Sequence, residues 1–203
     1  RVTALDTDNQ RVTGIHLQDM SMQARRVIIA TNPWSCASLA EPVASLQQLH
    51  QSLKQFDYQP IATVYLKYDR SVLLDPTMLG LADNVTQWIF DRRITSHPKI
   101  VAAVISADGE HVKMSKEELV NTVIADIKAN TTLQHDPVDS MVIREKRATF
   151  TATPAIERLR PENKTALEGC WIAGDYTNTG YPATLEGAII SGKAAAMEII
   201  KGT

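Results

Sequence analysis

The sequence predicts an α+β fold, and three observations support that class. Strand-like runs rich in β-branched and aromatic residues fill much of the chain, as in IATVYLKYD at residues 61–69. A helical segment begins with a capping box, in which Ser115 is answered by Glu118. Residues 170–200 combine a short apolar strand, a Thr/Asn/Gly loop and a helix rich in small residues. Strands and helices in this mixed order indicate α+β.

The first part of the chain begins with strands and continues with helices. Three strands forming a short meander are expected at residues 2–5, 11–17 and 24–30. Gly14 marks a bend in the second strand. Pro33 cannot continue a strand ladder and suits the first turn of a helix over residues 34–39. A second helix is expected over residues 42–53, where apolar side chains recur at helical spacing.

The middle of the chain is rich in strands. Residues 61–68 alternate between two sets, which suits a sheet with one covered face: Ile61, Thr63, Tyr65 and Lys67 against Ala62, Val64, Leu66 and Tyr68. Further strands are expected at TQWIFDR, KIVAAVISA and VDSMVIREKRATF. The helix after Ser115 places one apolar stripe on its surface, made of Leu119, Val123, Ile124 and Ile127.

The strand, loop and helix near the C-terminal end suggest a ligand site. In WIAGD the strand delivers Asp175 to its carboxyl end, and Gly174 leaves no side chain between the backbone and a ligand. A helix starting near Pro182 offers unpaired backbone amides, those of Ala183, Thr184 and Leu185, to an electron-rich ring edge or an oxyanion. The alternative is a terminal helix packed on a core, with Gly-Asp as a simple turn.

These residues also carry a family resemblance. AGDYTNTGYPATLEGAIISGKAAA resembles the C-terminal FAD signature of the amine-oxidase and phytoene-desaturase superfamily of flavoproteins. The opening RVTALDTDNQRVTGIHLQDMSMQARRVIIATNP is similar to the segment of that superfamily that borders the adenine and closes on an Ala-Thr-x-Pro turn. QWIFDR, REKRATF and GYPATLEGA most resemble the squalene-associated branch, the hydroxysqualene dehydroxylases.

The resemblance implies FAD as the cofactor and assigns residues to it. Asp175 is expected to bond the ribityl or diphosphate portion, and the amides of Thr184 and Leu185 to face the N1/O2 edge of the flavin. Val2 is expected to contact the adenine through its backbone. Candidates to line an apolar substrate tunnel are Trp88, Phe150 and Tyr181. An ordinary core role is the alternative for each of these three.

The domain organisation follows from the same resemblance and from a missing motif. The superfamily holds the diphosphate with an N-terminal GxGxxG loop, whereas the nine glycines here form no GxG. The chain is therefore expected to be the C-terminal portion of a longer flavoprotein, called the parent protein below. Residues 1–33 and 166–203 are expected to form part of an FAD-binding lobe. Residues 34–165 are expected to form an inserted substrate lobe with an antiparallel sheet and helices.

The expected function is that of a flavin-dependent oxidoreductase acting on an isoprenoid hydrocarbon of the hydroxysqualene, squalene or phytoene type. An amine or polyamine oxidase is the alternative enzyme, although Thr184 stands where such an enzyme often carries an aromatic residue. For the chain alone, a cofactor-free module without catalysis is the non-enzymatic alternative. No Ser/His/Asp or Cys/His constellation indicates nucleophilic catalysis, so the catalytic residues are not assigned.

The composition limits the classes of binding partner and the cellular compartment that are expected. A net charge of -2 without a dense basic stripe argues against nucleic acid. Two distant cysteines, without metal-ligand spacing, indicate a reducing, cytoplasmic compartment and no metal site. Contact with a membrane surface is inferred only from the apolar substrate. Self-association is expected through the apolar faces of the strand at residues 170–173 and of the terminal helix.

Overall fold

The computed structural model describes residues 1–202, and the chain divides into two compact units. The terminal unit combines Arg1–Asp57 with the segment from Phe150 onward, and the central unit is Tyr58–Thr149. Residues 34–57 and 150–165 thus belong to the terminal unit and not to the central unit, with which the sequence analysis grouped them. Which unit binds cofactor and which binds substrate stays a prediction.

The terminal unit contains two small sheets. An antiparallel meander is formed by β1 (Val2–Asp8), β2 (Arg11–Leu17) and β3 (Ser21–Gln23). A parallel pair is formed by β4 (Val27–Ile29) and β10 (Cys170–Ile172). The strand predicted at residues 24–30 as the third of the meander is wrong in its bounds and partner, because the third strand of the meander is β3, while β4 lies within residues 24–30 and pairs with β10. A strand as short as β4 carries no sequence pattern that identifies a parallel partner so far along the chain.

Gly14 lies where the meander leaves no room for a side chain. A Cβ atom at this position would lie 2.6 Å from the carbonyl oxygen of Met22 in β3. The pairing of β1 with β2 also shifts register beside it, between Asp6 and Thr7. Strand β2 runs through Gly14 without a break, and the close approach of the third strand makes glycine necessary there.

Residues 33–53 of the terminal unit form two helices that pack on each other. Helix α1 (Pro33–Ala40) has the predicted proline in its first turn, and the Asn32 side chain caps it by accepting from the Ser35 amide at 2.9 Å. Helix α2 (Gln47–Leu53) begins later than predicted, after a short 3-10 turn. The two helices are joined by a buried hydrogen bond, in which His50 donates to the Ala37 carbonyl at 2.9 Å.

The central unit is one five-stranded sheet with one long helix. Its strand order is β6-β7-β8-β5-β9. The elements are β5 (Tyr58–Lys67), β6 (Met78–Gly80), β7 (Trp88–Asp91), β8 (Ile100–Ser106), α3 (Lys116–Asn130) and β9 (Asp139–Phe150), whose last residue belongs to the terminal unit. The pairs β6-β7, β7-β8 and β8-β5 are antiparallel, as predicted for this sheet.

The predicted covered face and capping box are both confirmed. Ala62, Val64 and Leu66 are buried in one cluster with the α3 stripe of Leu119, Val123 and Ile127. Ser115 Oγ accepts from the Glu118 amide at 3.1 Å, and Glu118 Oε2 accepts from the Ser115 amide at 2.7 Å. The remaining helices, α4 (Pro154–Glu157) and α5 (Leu185–Lys201), belong to the terminal unit. None of the helices within residues 1–202 is long and apolar enough to cross a membrane.

Asp91 is a fully buried charge at the end of β7. Its carboxylate accepts from the Leu74 amide at 3.0 Å, the Arg93 amide at 2.9 Å and Arg93 Nε at 2.7 Å. Burial raises the pKa of Asp91, but these hydrogen bonds and the Arg93 charge outweigh it and hold the pKa below its ordinary value.

We expect Asp91→Asn to lower the free energy of unfolding at neutral pH by about 2 kcal/mol, because buried donors lose a charged acceptor. A carboxyl group with a lowered folded-state pKa stabilises the fold above its ordinary pKa, and this stabilisation is lost as the pH falls through the folded-state value. The difference between wild type and variant should therefore shrink toward acid pH. Urea unfolding at a series of pH values measures it. Asp83→Asn at an exposed loop is the control, and equal losses in both variants would contradict the assignment.

Candidate functional site

The junction between β10 and α5 is the candidate site. Pairing with β4 extends one residue beyond β10, since the Ala173 amide donates to the Ile29 carbonyl at 3.0 Å. Gly174 and Asp175 follow directly. A Cβ atom at Gly174 would lie 2.4 Å from the Tyr176 ring. The Tyr176 ring therefore fills the space that the sequence interpretation left open for a ligand, and it explains why glycine is needed there.

Helix α5 begins at Leu185 and not near Pro182, because Thr184 is its N-cap. Thr184 Oγ1 accepts from the Gly187 amide at 3.2 Å, so Ala183 lies before the helix. The amides of Leu185 and Glu186 in the first turn have no carbonyl within the helix to bond. These two donors, of which Glu186 was missed from the sequence, stand in the partial positive charge of the helix end.

Asp175 is half-buried between these two elements. Burial raises the pKa of the Asp175 carboxyl group, while the backbone amides of Asp175 and Tyr176 and the positive charge of Arg160 act in the opposite direction. Asp175 thus combines a partly desolvated carboxylate with a nearby cation. Such a carboxylate is suited to accept a hydrogen bond from a ligand hydroxyl.

A buried network around Ser191 fixes the start of the loop, and sequence reasoning missed it. Ser191 Oγ accepts from the Gly174 amide at 3.0 Å and bonds Thr177 Oγ1 at 2.7 Å. Asn163 Nδ2 donates to Ser191 Oγ at 2.8 Å and to the Ile172 carbonyl at 2.8 Å. One hydroxyl in the middle of α5 therefore ties together the strand end, the loop and the segment before β10. In the sequence, Ser191 looked only like one of several small residues at spacing four.

The two cysteines are buried and unreactive. Cys36 in α1 and Cys170 in β10 are both free thiols inside the terminal unit. Burial raises the pKa of each to about 11, so neither is a thiolate at neutral pH. Both therefore act as small buried hydrophobic residues.

The predicted substrate residues lie in different surroundings. Phe150 is buried in the terminal unit, edge-on to Phe56 at 5.2 Å and beneath the Arg160 guanidinium at 5.8 Å, which is the core role weighed for it. Tyr181 is about half exposed in the loop before α5. Trp88 is exposed on β7 in the central unit.

Trp88 belongs to an aromatic face of the central sheet. In the strand register Gly80, Trp88, Val104 and Thr63 stand side by side, as do Met78, Phe90, Ala102 and Tyr65. Both rows lie on the face opposite the buried Val64 and Ile89, because neighbours along a strand alternate between faces. The Trp88 and Phe90 rings are stacked at 6.4 Å. We call the set Tyr65, Met78, Trp88 and Phe90 the aromatic face. Only Trp88 was predicted as a substrate residue, and the alternation of side chains along each strand was the signal that could have identified the others.

Val2, the predicted adenine contact, is half-buried at the start of β1 opposite Leu17. A register shift between Val2 and Ala4 interrupts the ladder beside it. Its contact with adenine stays a prediction.

Comparison with known proteins places the chain in a family. The family described as flavin containing amine oxidoreductase matches residues 1–200. The hydroxysqualene dehydroxylase of Sinorhizobium fredii is 30% identical over 83% of this chain and 39% of its own length. The 15-cis-phytoene desaturase of Narcissus pseudonarcissus is 32% identical over 47% of this chain and 16% of its own length. The cyclohexylamine oxidase structure from Brevibacterium oxydans covers 100% of this chain and 48% of its own, with a TM-score of 0.76 at 15% identity, and so shares the fold. Since the family match runs through both units, the chain belongs to the flavin containing amine oxidoreductases.

Proposed function

We propose that the chain is part of a flavin-dependent oxidoreductase that acts on a long isoprenoid of the hydroxysqualene type. The observation that carries the proposal is the match to hydroxysqualene dehydroxylase, at 30% identity over 83% of this chain. The phytoene desaturase match covers less, 47% of this chain, and makes a carotenoid precursor the nearest other isoprenoid substrate. A membrane surface is the expected source of either molecule, so peripheral membrane contact is part of the proposal.

The residues at the α5 junction fit a flavin by the chemistry of their donors and acceptors. The half-buried Asp175 carboxylate is an acceptor for the ribityl or diphosphate portion of FAD, beside Gly174 and Ala183. The amides of Thr184 and Leu185 are donors for the N1/O2 edge, and the Val2 backbone is proposed for the adenine. When bound, FAD supplies hydride exchange with a substrate carbon.

The chain's own contribution to that chemistry is orientation and electrostatics. The partial positive charge at the start of α5 favours negative charge on a group held there. Thr184 fixes this end of the helix through its bond to the Gly187 amide at 3.2 Å, so the donors are already oriented before a ligand arrives.

The aromatic face of the central unit suits a hydrocarbon. Trp88 and Met78 are 43% and 52% exposed, and their cross-strand neighbours at Ala102 and Val104 are apolar. Covering such side chains with hydrocarbon removes apolar area from water, which is the main driving force available to a substrate without charge. A cationic amine would need a charged partner such as a carboxylate to offset its lost hydration, and the registered positions of this face carry no acidic residue.

The test is substrate discrimination by the flavin-loaded parent protein. We expect hydroxysqualene or phytoene to change the flavin absorbance spectrum and to be converted, while putrescine and cyclohexylamine do neither. Trp88→Ala should weaken isoprenoid binding about tenfold through lost apolar contact, whereas Ile94→Ala, an exposed residue outside the aromatic face, should not. Oxidation of a polyamine with release of peroxide would overturn the proposal.

A further inference from the structure

We propose that Arg160 is the positioning residue of the loop that carries Asp175, an inference that rests on the proposed flavin site. Residues 173–184 join β10 to α5 without forming a helix or strand of their own. Gly180 in this loop has a φ of +72°, a conformation that few side chains tolerate. A loop of this kind keeps one shape only if other groups hold it.

Arg160 holds the loop from inside. Its side chain is only 2% exposed. Nη2 donates to the carbonyls of Asp175 at 3.1 Å and Thr177 at 2.6 Å, and it lies 3.4 Å from Thr179 Oγ1. Nη1 donates to the Tyr181 carbonyl at 2.7 Å. The bonded groups come from every second residue of the loop, so the guanidinium occupies the interior of its turn.

The charge of Arg160 is compensated next to the loop. Nη1 also donates to both carboxylate oxygens of Glu157, at 3.1 and 3.0 Å. Glu157 ends the short helix α4, which a bond from the Ile156 amide to Thr153 Oγ1 caps at 3.2 Å. The guanidinium thus bridges α4 and the loop. A lysine ammonium is a point charge without the planar fork that spans these acceptors.

Arg160 acts on Asp175 through the backbone. It bonds the Asp175 carbonyl, while Ser191 bonds the Gly174 amide on the preceding residue and the Thr177 hydroxyl on the other side. The direction of the Asp175 side chain is therefore set by two clamps, one from α5 and one from Arg160. The same positive charge lies close enough to favour the ionised form of the Asp175 carboxyl group, against the effect of its burial on the pKa.

The first measurement is hydrogen exchange in the chain without flavin. We expect Arg160→Lys to speed exchange of the amides at residues 176–181 about tenfold or more, as lost hydrogen bonds open the segment, with β5 and β8 unchanged. Arg158→Lys, at an exposed neighbouring position, is the control. If Arg160→Lys does not fold, Glu157→Gln removes the negative charge beside the guanidinium and Thr179→Val removes one hydroxyl partner, and each should show a smaller increase in the same segment. Unchanged exchange there would overturn the proposal.

The second measurement is flavin binding by the parent protein. Arg160→Lys should weaken flavin affinity about tenfold. Arg160→Gln removes the charge as well, so flavin affinity should begin to fall at a higher pH than in wild type as Asp175 becomes protonated. If amide exchange is faster but flavin affinity and its pH dependence are unchanged, Arg160 has no role in flavin binding. That result would show that Arg160 stabilises the loop but that the loop does not hold the cofactor. Loss of affinity without faster exchange would contradict the clamp while leaving the proposed flavin site intact.

Discussion

The 203-residue chain on its own should be colourless as purified and should bind FAD about a thousandfold more weakly than the parent protein, a difference of about 4 kcal/mol. The reason is the diphosphate. Its two negative charges need a row of backbone donors and a helix end to replace their lost hydration, and no GxG occurs among the nine glycines of this chain. Asp175 and the first amides of α5 offer contacts to only part of the cofactor.

Titration of FAD into the purified chain, followed by flavin fluorescence, measures this directly. The parent protein under the same conditions is the control. Stoichiometric binding by the chain at micromolar concentration would show that the glycine loop is not required and that the division of FAD contacts proposed above is wrong.

Asp175→Ala in the parent protein should weaken FAD binding by about 1.5–3 kcal/mol, or roughly 10- to 150-fold. The variant removes a half-buried carboxylate acceptor from the loop. Retention of flavin after desalting, together with the dissociation constant from fluorescence, gives the effect. Asp19→Ala, an exposed carboxylate in the terminal unit, is the matched control. Equal flavin content in the Asp175 variant and wild type would remove Asp175 from the proposed site.

Elements whose cause is local could be predicted from the sequence. The capping box before α3, Pro33 in the first turn of α1 and the alternation in β5 each depend on residues close to one another in the chain, and the structure confirms all three. The mixed fold class followed from the same signals. The strand predicted at residues 24–30 was assigned the wrong partner, because β4 pairs with β10 and no local sequence pattern identifies so distant a partner.

The candidate site could be located from the sequence but not explained. Gly174 and Asp175 were found because a strand ends there, yet the ring that makes glycine necessary belongs to Tyr176. Ser191 and Arg160 were missed because their importance depends on several partners meeting at one buried side chain. Composition and spacing identify neither a side chain that bonds several partners nor the starting residue of α5, which follows the Thr184 N-cap and not Pro182.

The parallel pairing of β4 with β10 also has a consequence for biosynthesis. A ribosome releases β4 early, whereas β10 emerges only after the whole central unit, whose strands and helix are contiguous in sequence. The central unit can therefore collapse first, since nearby contacts form faster than distant ones. Until β10 arrives, Val27–Ile29 is a short strand without its partner. We expect the loop around Asp175, which follows β10, to be among the last parts of the protein to fold.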